Sequence, residues 1–182
     1  MTLAAQIAQA AAELAHGAAG TDALQLADLV EEISLANRIV TYGCGREGLM
    51  MRALTMRLYH LGLDVHVVGD MSCPPLGEGD LFLASSGPGH LSTVAALITQ
   101  AKSAGARTAC VTGQPTGPDP MACDIVLTIP AQTMAGDQTA LLPMGSVFEG
   151  AQFLIFEILI LHLRDRLLQS ADTMRARHTN LE

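Results

Sequence analysis

The sequence predicts an α/β protein, a three-layer α/β/α sandwich around a five-stranded parallel sheet, on two observations. From Ile39 onward, short apolar runs are separated by helical stretches, and the runs are continuous rather than alternating, which is typical of strands buried on both faces. The chain has 182 residues, 49% of them hydrophobic, which suffices for one sizeable core. We therefore predict a single domain, 1–182, divided into N-terminal helices (1–37), a parallel α/β core (38–130) and a loop with C-terminal helices (131–182).

Two helices are predicted before the sheet. Residues 2–16 are rich in alanine and carry apolar residues at helical spacing. Thr21 and Asp22 are residue types that favour the N-cap of a helix, and the helical spacing of apolar residues continues from there to Asn37.

Five strand candidates follow, in chain order residues 39–42, 65–68, 81–84, 107–112 and 125–129. We predict helices after the first and third strands, ending at Leu61 and Ala104. A polar loop over 130–143 then precedes a long helix over 145–166 and a short one over 171–177.

The charge balance restricts the class of partner. Ten Lys and Arg residues stand against 18 Asp and Glu residues, and the net charge of −8 argues against binding nucleic acid or an anionic membrane surface through a basic field. An anionic small molecule is compatible with this charge, because backbone N–H groups and one or two Arg side chains can bind it.

Signals for targeting and for metals are weak. The N-terminus has no basic segment before an apolar stretch, so we expect no signal peptide and a cytoplasmic location. The most apolar run, 153–163, is shorter than the ~20 residues that span a bilayer. The four cysteines form no C-x-x-C pair and the six histidines no metal-binding spacing, so we expect neither a metal nor a disulfide framework.

Two glycine-rich turns follow strand candidates. Gly43-x-Gly45-x-x-Gly48 follows the first strand, and Ser-Ser-Gly-Pro-Gly-His, residues 85–90, follows the third. Ligands of doubly wound sheets bind at the carboxyl ends of the strands, so we predict that both turns form walls of one pocket. We also expect Pro88 near the first position of the next helix. The predicted binding residues are Gly43, Gly45, Arg46, Glu47, Ser85, Ser86, Gly87, Gly89, His90 and Thr112.

The first turn admits two interpretations. Its glycine spacing matches a dinucleotide-binding fingerprint, and Asp70, after the second strand, has the position of a ribose-binding acid. The alternatives are a tight strand-to-helix turn or a site for another anion, and we favour these. A dinucleotide-dependent oxidoreductase would also need a substrate domain, for which we expect this chain to be too short.

Glu149 and His178 are further candidates for function, whereas we treat His60 as structural. Glu149 begins an apolar helix, either as a carboxylate that complements the helix dipole or as a partly buried base whose pKa burial would raise. His178, taken alone, is typical of a solvated tail residue, and His60 of a histidine at a helix end.

Five segments together resemble one known family. They are Met56-Arg-Leu-Tyr-His-Leu-Gly62, Val67-Val-Gly, Gly77-Glu-Gly-Asp-Leu81, Pro143-Met-Gly-Ser-Val-Phe-Glu149 and Arg177-His-Thr-Asn-Leu-Glu182. The chain resembles the 6-phospho-3-hexuloisomerase group of sugar isomerase (SIS) domains over essentially its whole length.

The resemblance implies a flavodoxin-like fold and a homotetramer built from dimers, with active sites near subunit contacts. It also implies a cofactor-free isomerisation of 3-hexulose 6-phosphate to fructose 6-phosphate through a cis-enediol. Glu149 matches the family's base, which takes a proton from C2 and returns it at C3. His178 is the candidate for moving protons between the two oxygens.

This chain departs from the family at both turns. The family usually has G-x-G-R-S-G and S-G-S-G-E-T, whereas this chain has Glu47 in the first turn and Pro88, His90 and Leu91 in the second. If the turns bind phosphate, Glu47 has to point away from it or pair with Arg46. The departures leave open an altered, non-phosphorylated sugar as substrate, or a non-catalytic regulator that binds a sugar phosphate.

Overall fold

The computed structural model describes residues 1–135 and 140–181; loop positions 136–139 and Glu182, the last residue of the tail segment, lie outside the described residues. The helices are α1 (Leu3–Ala19), α2 (Ala23–Leu35), α3 (Gly45–His60), α4 (Ser92–Ser103), α5 (Pro118–Met121), α6 (Ser146–Arg166) and α7 (Ala171–Ala176). The strands are β1 (Ile39–Gly43), β2 (Val65–Val67), β3 (Leu81–Ser85), β4 (Arg107–Thr112) and β5 (Ile125–Thr128). Every predicted element is present within a few residues of its expected ends, and only the short α5 was not predicted.

The sheet has five parallel strands in the order β2-β1-β3-β4-β5, which confirms the predicted α/β sandwich and is the order of flavodoxin-like folds. The chain runs outward from β1 to β2 and then returns to β3 on the other side of β1. At this reversal Gly43 pairs with Ser85, so the two glycine-rich turns leave the sheet side by side. The register therefore creates the crevice in which such folds bind ligands.

Side chains of the strands alternate between two packed layers. One face of the sheet packs against α2, α3 and α6 and carries Ile39, Leu81, Leu83, Ala109 and Val111. The other face carries Val40, Phe82 and Ala84, which pack against Val94, Ile98 and Ala101 of α4. The connection between β2 and β3 covers the rest of that face with loop residues, among them Cys73 and Leu76.

Helix α6 contributes more to the core than any single strand, yet part of it is exposed. Its buried residues include Phe148, Ile155 and Leu159, whereas four large apolar side chains are between 41% and 46% exposed: Phe153, Leu154, Ile158 and Leu161. Within the described residues, α6 is also the one helix long and apolar enough to cross a membrane by length and composition. Half of that apolar window is buried inside the fold, as is typical of a core helix.

Gly17 gives a test of the packing between α1 and the rest of the chain. A Cβ on Gly17 would lie 2.7 Å from the Cβ of Ala131. Replacing glycine by alanine inside a helix normally stabilises a protein by about 1 kcal/mol. We expect Gly17→Ala to destabilise this protein by about 1 to 3 kcal/mol instead, because the Ala131 Cβ is fixed to the backbone and cannot move aside.

Urea unfolding measures this difference. Gly77→Ala is the control, because a Cβ on Gly77 would meet no atom within 4 Å. A Gly17→Ala variant as stable as the wild type would contradict the observed packing of α1.

Candidate functional site

The first glycine-rich turn is shaped by close backbone packing between β1 and α3. A Cβ on Gly43 would lie 2.9 Å from the Gly48 nitrogen, and one on Gly48 would collide with the Gly43 carbonyl oxygen. Gly45 has φ +54°, in the left-handed region that favours glycine. The glycine spacing thus follows from the strand-to-helix turn itself. Asp70, the ribose-binding candidate, lies at the surface, 3.5 Å from Arg52.

The second turn is held by Asp119, a buried residue of α5. Its carboxylate accepts hydrogen bonds from the Ser86 hydroxyl at 2.6 Å and from the Leu91 N–H at 2.7 Å, and the His90 Nδ1 lies 3.1 Å away. These contacts hold residues 86–91 in a turn that ends with Leu91 extended, so α4 begins only at Ser92. The expectation that Pro88 lies near the first position of this helix is therefore wrong.

Glu47, in the first turn of α3, connects the two turns. Its Oε2 accepts a hydrogen bond from the Ser85 hydroxyl at 2.5 Å and another from the Gly87 N–H at 2.9 Å. Burial raises the pKa of Glu47 above its ordinary value, although both hydrogen bonds act in the opposite direction. The carboxylate neither points away from the turns nor pairs with Arg46, the two arrangements expected if the turns bind phosphate.

Glu149 lies in the first turn of α6, and its side chain is 13% exposed. One carboxylate oxygen lies 2.8 Å from the Arg46 guanidinium, which also donates a hydrogen bond to the Ser146 hydroxyl at 2.9 Å. Burial raises the pKa of Glu149, the Arg46 charge lowers it and the Glu47 charge raises it, with a net increase. A buried carboxylate of raised pKa has the properties of a general base that works near neutral pH.

A cavity of about 340 Å³ opens between the N-termini of α3 and α6, at the carboxyl ends of β1 and β3. Four of the predicted site residues line it: Gly45, Arg46, Glu47 and Glu149. The remaining wall is mostly apolar and consists of Cys44, Pro88, Leu91, Thr133, Met134, Pro143, Met144, Gly145 and Phe148. The cavity is large enough for a small molecule and presents two carboxylates and one guanidinium to it.

The other predicted binding residues lie in the turns but not on the cavity wall: Gly43, Ser85, Ser86, Gly87, Gly89, His90 and Thr112. Three of their hydroxyls are buried and already bonded. The Ser85 and Ser86 hydroxyls donate to Glu47 and Asp119, and the Thr112 hydroxyl donates to the Ser86 carbonyl at 2.7 Å. In the observed arrangement these groups hold the two turns together, and their contact with a ligand stays a prediction.

His178 lies in a second cavity, of about 370 Å³, at the far end of α3 and α6. Its ring stacks on His60 with 5.3 Å between the ring centroids, and Arg177 fixes the tail by donating to the His60 carbonyl at 2.9 Å. Leu161, on the wall of this cavity, is about 18 Å along α6 from Glu149. The structure therefore does not bring Glu149 and His178 together within one chain.

The second cavity is basic. Besides the two histidines it is lined by Arg57, Arg164 and Arg175. Burial lowers the pKa of His60, and the neighbouring charges of His178 and Arg57 lower it further. His60, which we treated as structural, is thus the direct neighbour of a predicted catalytic residue.

The sequence analysis missed two polar residues that organise the site. Asp119 gave no signal, because α5 is short and no motif marks it. Gln152 is fully buried and donates through Nε2 to the Ser85 hydroxyl at 2.9 Å, which continues the chain of hydrogen bonds to Glu47. A polar residue three positions after Glu149 in an apolar helix lies on the same helix face, and this spacing could have identified it.

Clusters of possible metal ligands are absent from residues 1–135 and 140–181. No group of three or more His, Cys, Asp or Glu side chains suited to a metal ion occurs among them.

Comparisons with known proteins found similarity in both sequence and structure. A profile of the SIS domain matches residues 32–150. A Mycobacterium gastri protein named 3-hexulose-6-phosphate isomerase is 40% identical over 172 residues, which cover 93% of this chain and 86% of that protein. A Bacillus subtilis protein of the same name is 32% identical over 179 residues, 97% of each chain. The crystal structure of a Methanococcus jannaschii protein, for which a 3-hexulose-6-phosphate isomerase function was inferred, matches with a TM-score of 0.79 and 26% identity, covering 87% of this chain and 86% of that one.

The contact between Arg46 and Glu149 generates a testable prediction. Because the Arg46 charge lowers the pKa of Glu149 against the effect of burial, Arg46→Met should raise that pKa further. A ¹³C NMR titration of the Glu149 carboxyl measures the change, and the acid limb of the kcat/KM profile should move to higher pH with it.

Arg52→Met is the matched control for this titration, since Arg52 is also on α3 but faces Asp70. The control should leave the Glu149 titration unchanged. A Glu149 pKa that falls or stays constant in Arg46→Met would show that the observed ion pair does not govern it.

Proposed function

The chain belongs to the SIS domain family, and we propose that it isomerises 3-hexulose 6-phosphate to fructose 6-phosphate with Glu149 as the base. The observation that carries this proposal is the partly buried Glu149 carboxylate on a substrate-sized cavity, in a chain 40% identical to a 3-hexulose-6-phosphate isomerase. The reaction moves a carbonyl from C3 to C2, and it requires a base that removes and returns a proton.

Glu149 takes the proton from C2 of the 3-ketose to give a cis-enediol, and returns it at C3 while the carbonyl forms at C2. Its raised pKa favours this role, because a base with a pKa closer to neutral both accepts and returns a proton readily. Arg46 holds the carboxylate in place and lies beside the developing negative charge on the enediol oxygens. The reaction needs no redox cofactor, because the substrate and the product are isomers.

The phosphate binds on the Arg46 side of the cavity. Arg46 is 60% exposed at the side chain, so part of its guanidinium is accessible to an anion. The N-cap residue Cys44 makes no side-chain hydrogen bond to α3, so the first N–H groups of that helix also favour a negative charge. The second turn is less suitable, because Glu47 and Asp119 already accept hydrogen bonds from its donors.

His178 can reach this cavity only from a second copy of the chain. Large apolar side chains are exposed along α3 and α6 and form what we call the apolar strip: Leu49, Met56, Tyr59, Phe153, Leu154, Ile158 and Leu161. Arg46 and Glu149 border one end of the strip, and the second cavity lies at the other end. A strip of seven large exposed apolar side chains favours a contact between subunits.

A twofold axis near residue 157, the middle of the exposed part of α6, would pair the apolar strips of two copies with their α6 helices antiparallel. The Glu149 end of each helix would then meet the Arg164 end of its partner. The lining side chains are complementary in part. The first cavity contains two carboxylates and Arg46, whereas the second contains two His residues and three Arg residues, each of which pairs with a carboxylate outside the lining. In this dimer, His178 of the partner subunit completes the site and moves protons between the oxygens of the enediol.

We extend the assembly to a homotetramer of two such dimers in the cytoplasm. Leu3 and Ile7 of α1 are 71% and 60% exposed and offer apolar surface for a second contact. All four cysteines of the chain are free thiols, as is common in a reducing compartment.

The base is tested by Glu149→Gln, which keeps the size of the side chain and removes the proton acceptor. In deuterated water, ¹H NMR should show fructose 6-phosphate losing its C3 proton with the wild type, and a loss of at least about 100-fold in that rate with the variant. Glu31→Gln, a half-exposed surface carboxylate paired with Arg166, should retain the full rate. Wild-type protein that binds the sugar phosphate without any exchange would instead identify a non-catalytic regulator.

The shared site is tested by mixing two inactive variants, Glu149→Gln and His178→Ala, by co-expression. Each hybrid dimer contains one site with both residues intact, and random pairing makes half of the dimers hybrids, so activity should recover to about a quarter of the wild type. Light scattering on the same samples reports the assembly. A mixture that stays inactive, or a monomer at micromolar concentration, would contradict the shared site.

A further inference from the structure

We propose that Glu47 determines the orientation of the substrate, by accepting a hydrogen bond from the C1 hydroxyl of the sugar through its Oε1 atom. This inference rests on the proposed function for the identity of the sugar. It makes the place between the two glycine-rich turns, at Glu47, a site for a hydroxyl group rather than for the phosphate.

The two oxygens of Glu47 have different surroundings. Oε2 is fixed by the Ser85 hydroxyl and the Gly87 N–H, and Gln152 in turn donates to Ser85. Among the described residues, no donor lies within hydrogen-bond distance of Oε1. The Glu47 side chain lines the cavity, and Oε1 is its oxygen that is left to accept a hydrogen bond from a ligand.

The position of Oε1 is also well defined. A Cβ on Gly87 would lie 2.6 Å from Oε1 and 2.9 Å from the Phe148 ring, so the carboxylate is packed against the second turn and α6. A fixed acceptor without a donor, in a partly buried place, is favourable for a hydroxyl group, which supplies the missing hydrogen bond.

A phosphate is disfavoured at the same place for two reasons. The donors that would bind it at the second turn, the Ser85 hydroxyl and the Gly87 N–H, are already bonded to Glu47. The Glu47 carboxylate would also repel a phosphate a few ångströms away, and more strongly in a partly buried cavity than in water. The phosphate therefore lies on the Arg46 side, where the exposed guanidinium provides a positive charge.

This orientation identifies the hydroxyl. Glu149 has to reach C2 and C3, and Glu47 is close enough for its charge to affect the pKa of Glu149. With the phosphate of C6 on the Arg46 side, the only group beyond C2 on the Glu47 side is C1 with its hydroxyl. Glu47 would thus distinguish a sugar that carries a C1 hydroxyl from one that does not.

The test compares fructose 6-phosphate with 1-deoxyfructose 6-phosphate. We expect the wild type to prefer the natural sugar by roughly 10- to 100-fold in kcat/KM, measured as deuterium incorporation at C3, because a hydrogen bond to a charged acceptor is lost with the analogue. Glu47→Ser should reduce this preference to within about threefold of unity, because the loss of the bridge affects the rates on both sugars whereas the loss of the C1 hydrogen bond affects only the natural sugar. An unchanged preference in Glu47→Ser would overturn the proposal.

Asp124→Ala is the matched control. Asp124 also accepts hydrogen bonds from a backbone N–H and a hydroxyl, both of Thr108, but at the opposite end of the sheet. This variant loses a comparable structural interaction and should keep the wild-type preference for the C1 hydroxyl. A preference that falls equally in both variants would mean that loss of stability, and not recognition by Glu47, is responsible.

Calorimetric dissociation constants for the same two ligands separate this inference from the proposed function. Suppose that the wild type shows no deuterium exchange but binds fructose 6-phosphate more tightly than the deoxy analogue, and that Glu47→Ser loses this difference. That result would refute the isomerase activity and support recognition of the C1 hydroxyl by Glu47. Inorganic phosphate is a second probe, and its affinity should rise in Glu47→Ser, which frees the Gly87 N–H and the Ser85 hydroxyl. Equal binding of both sugars by the wild type, or no binding of either, would overturn the Glu47 proposal.

Discussion

The hydrogen bonds of Glu47 connect the two halves of the site. Parallel pairing of Gly43 with Ser85 places two glycine-rich turns next to each other, and the Glu47 carboxylate then bridges them through the Ser85 hydroxyl and the Gly87 N–H. Gln152 extends the network into α6, the helix that carries Glu149. This bridge fixes the start of α3 against the second turn, beside the cavity that Arg46 and Glu149 line.

The site retains charge at a cost in stability. The pKa of Glu149 is raised on folding, so its ionisation opposes the folded state as the pH rises from the ordinary carboxyl value through the raised one. The same holds for Glu47. Arg46 offsets part of this cost without removing it, since it is more exposed than the carboxylate it contacts. Two carboxyl groups of raised pKa in one cavity are typical of a catalytic site, where a loss of folding stability accompanies the pKa that the chemistry needs.

The distribution of charge and apolar surface gives a physical reason for a shared site. A cavity lined by two carboxylates and Arg46 and a cavity lined by three ion-paired Arg and two His side chains lie at opposite ends of α3 and α6, with exposed apolar side chains between them. A single copy leaves the apolar side chains in water and the two charged ends apart. Antiparallel pairing of two copies would cover the apolar side chains and bring the charged ends of the two copies together. The burial of apolar surface would thereby complete the site.

The sequence by itself determined the fold, and it singled out Glu149 as the candidate for the base. Continuous apolar runs such as 81–84 and 107–112 mark strands buried on both faces, and glycines at 43 and 48 are required wherever a strand and the next helix pack this closely. Glu149 was identified as a candidate because a carboxylate at the start of an apolar helix either complements the helix dipole or is a partly buried base, and the family resemblance favoured the base. Only the tertiary structure decided which donors Glu47 contacts, that Asp119 holds the second turn, and that His178 lies with His60 rather than with Glu149. These contacts join residues that are 28 to more than 100 positions apart in the chain, and the local patterns that define helices and strands carry no information about them.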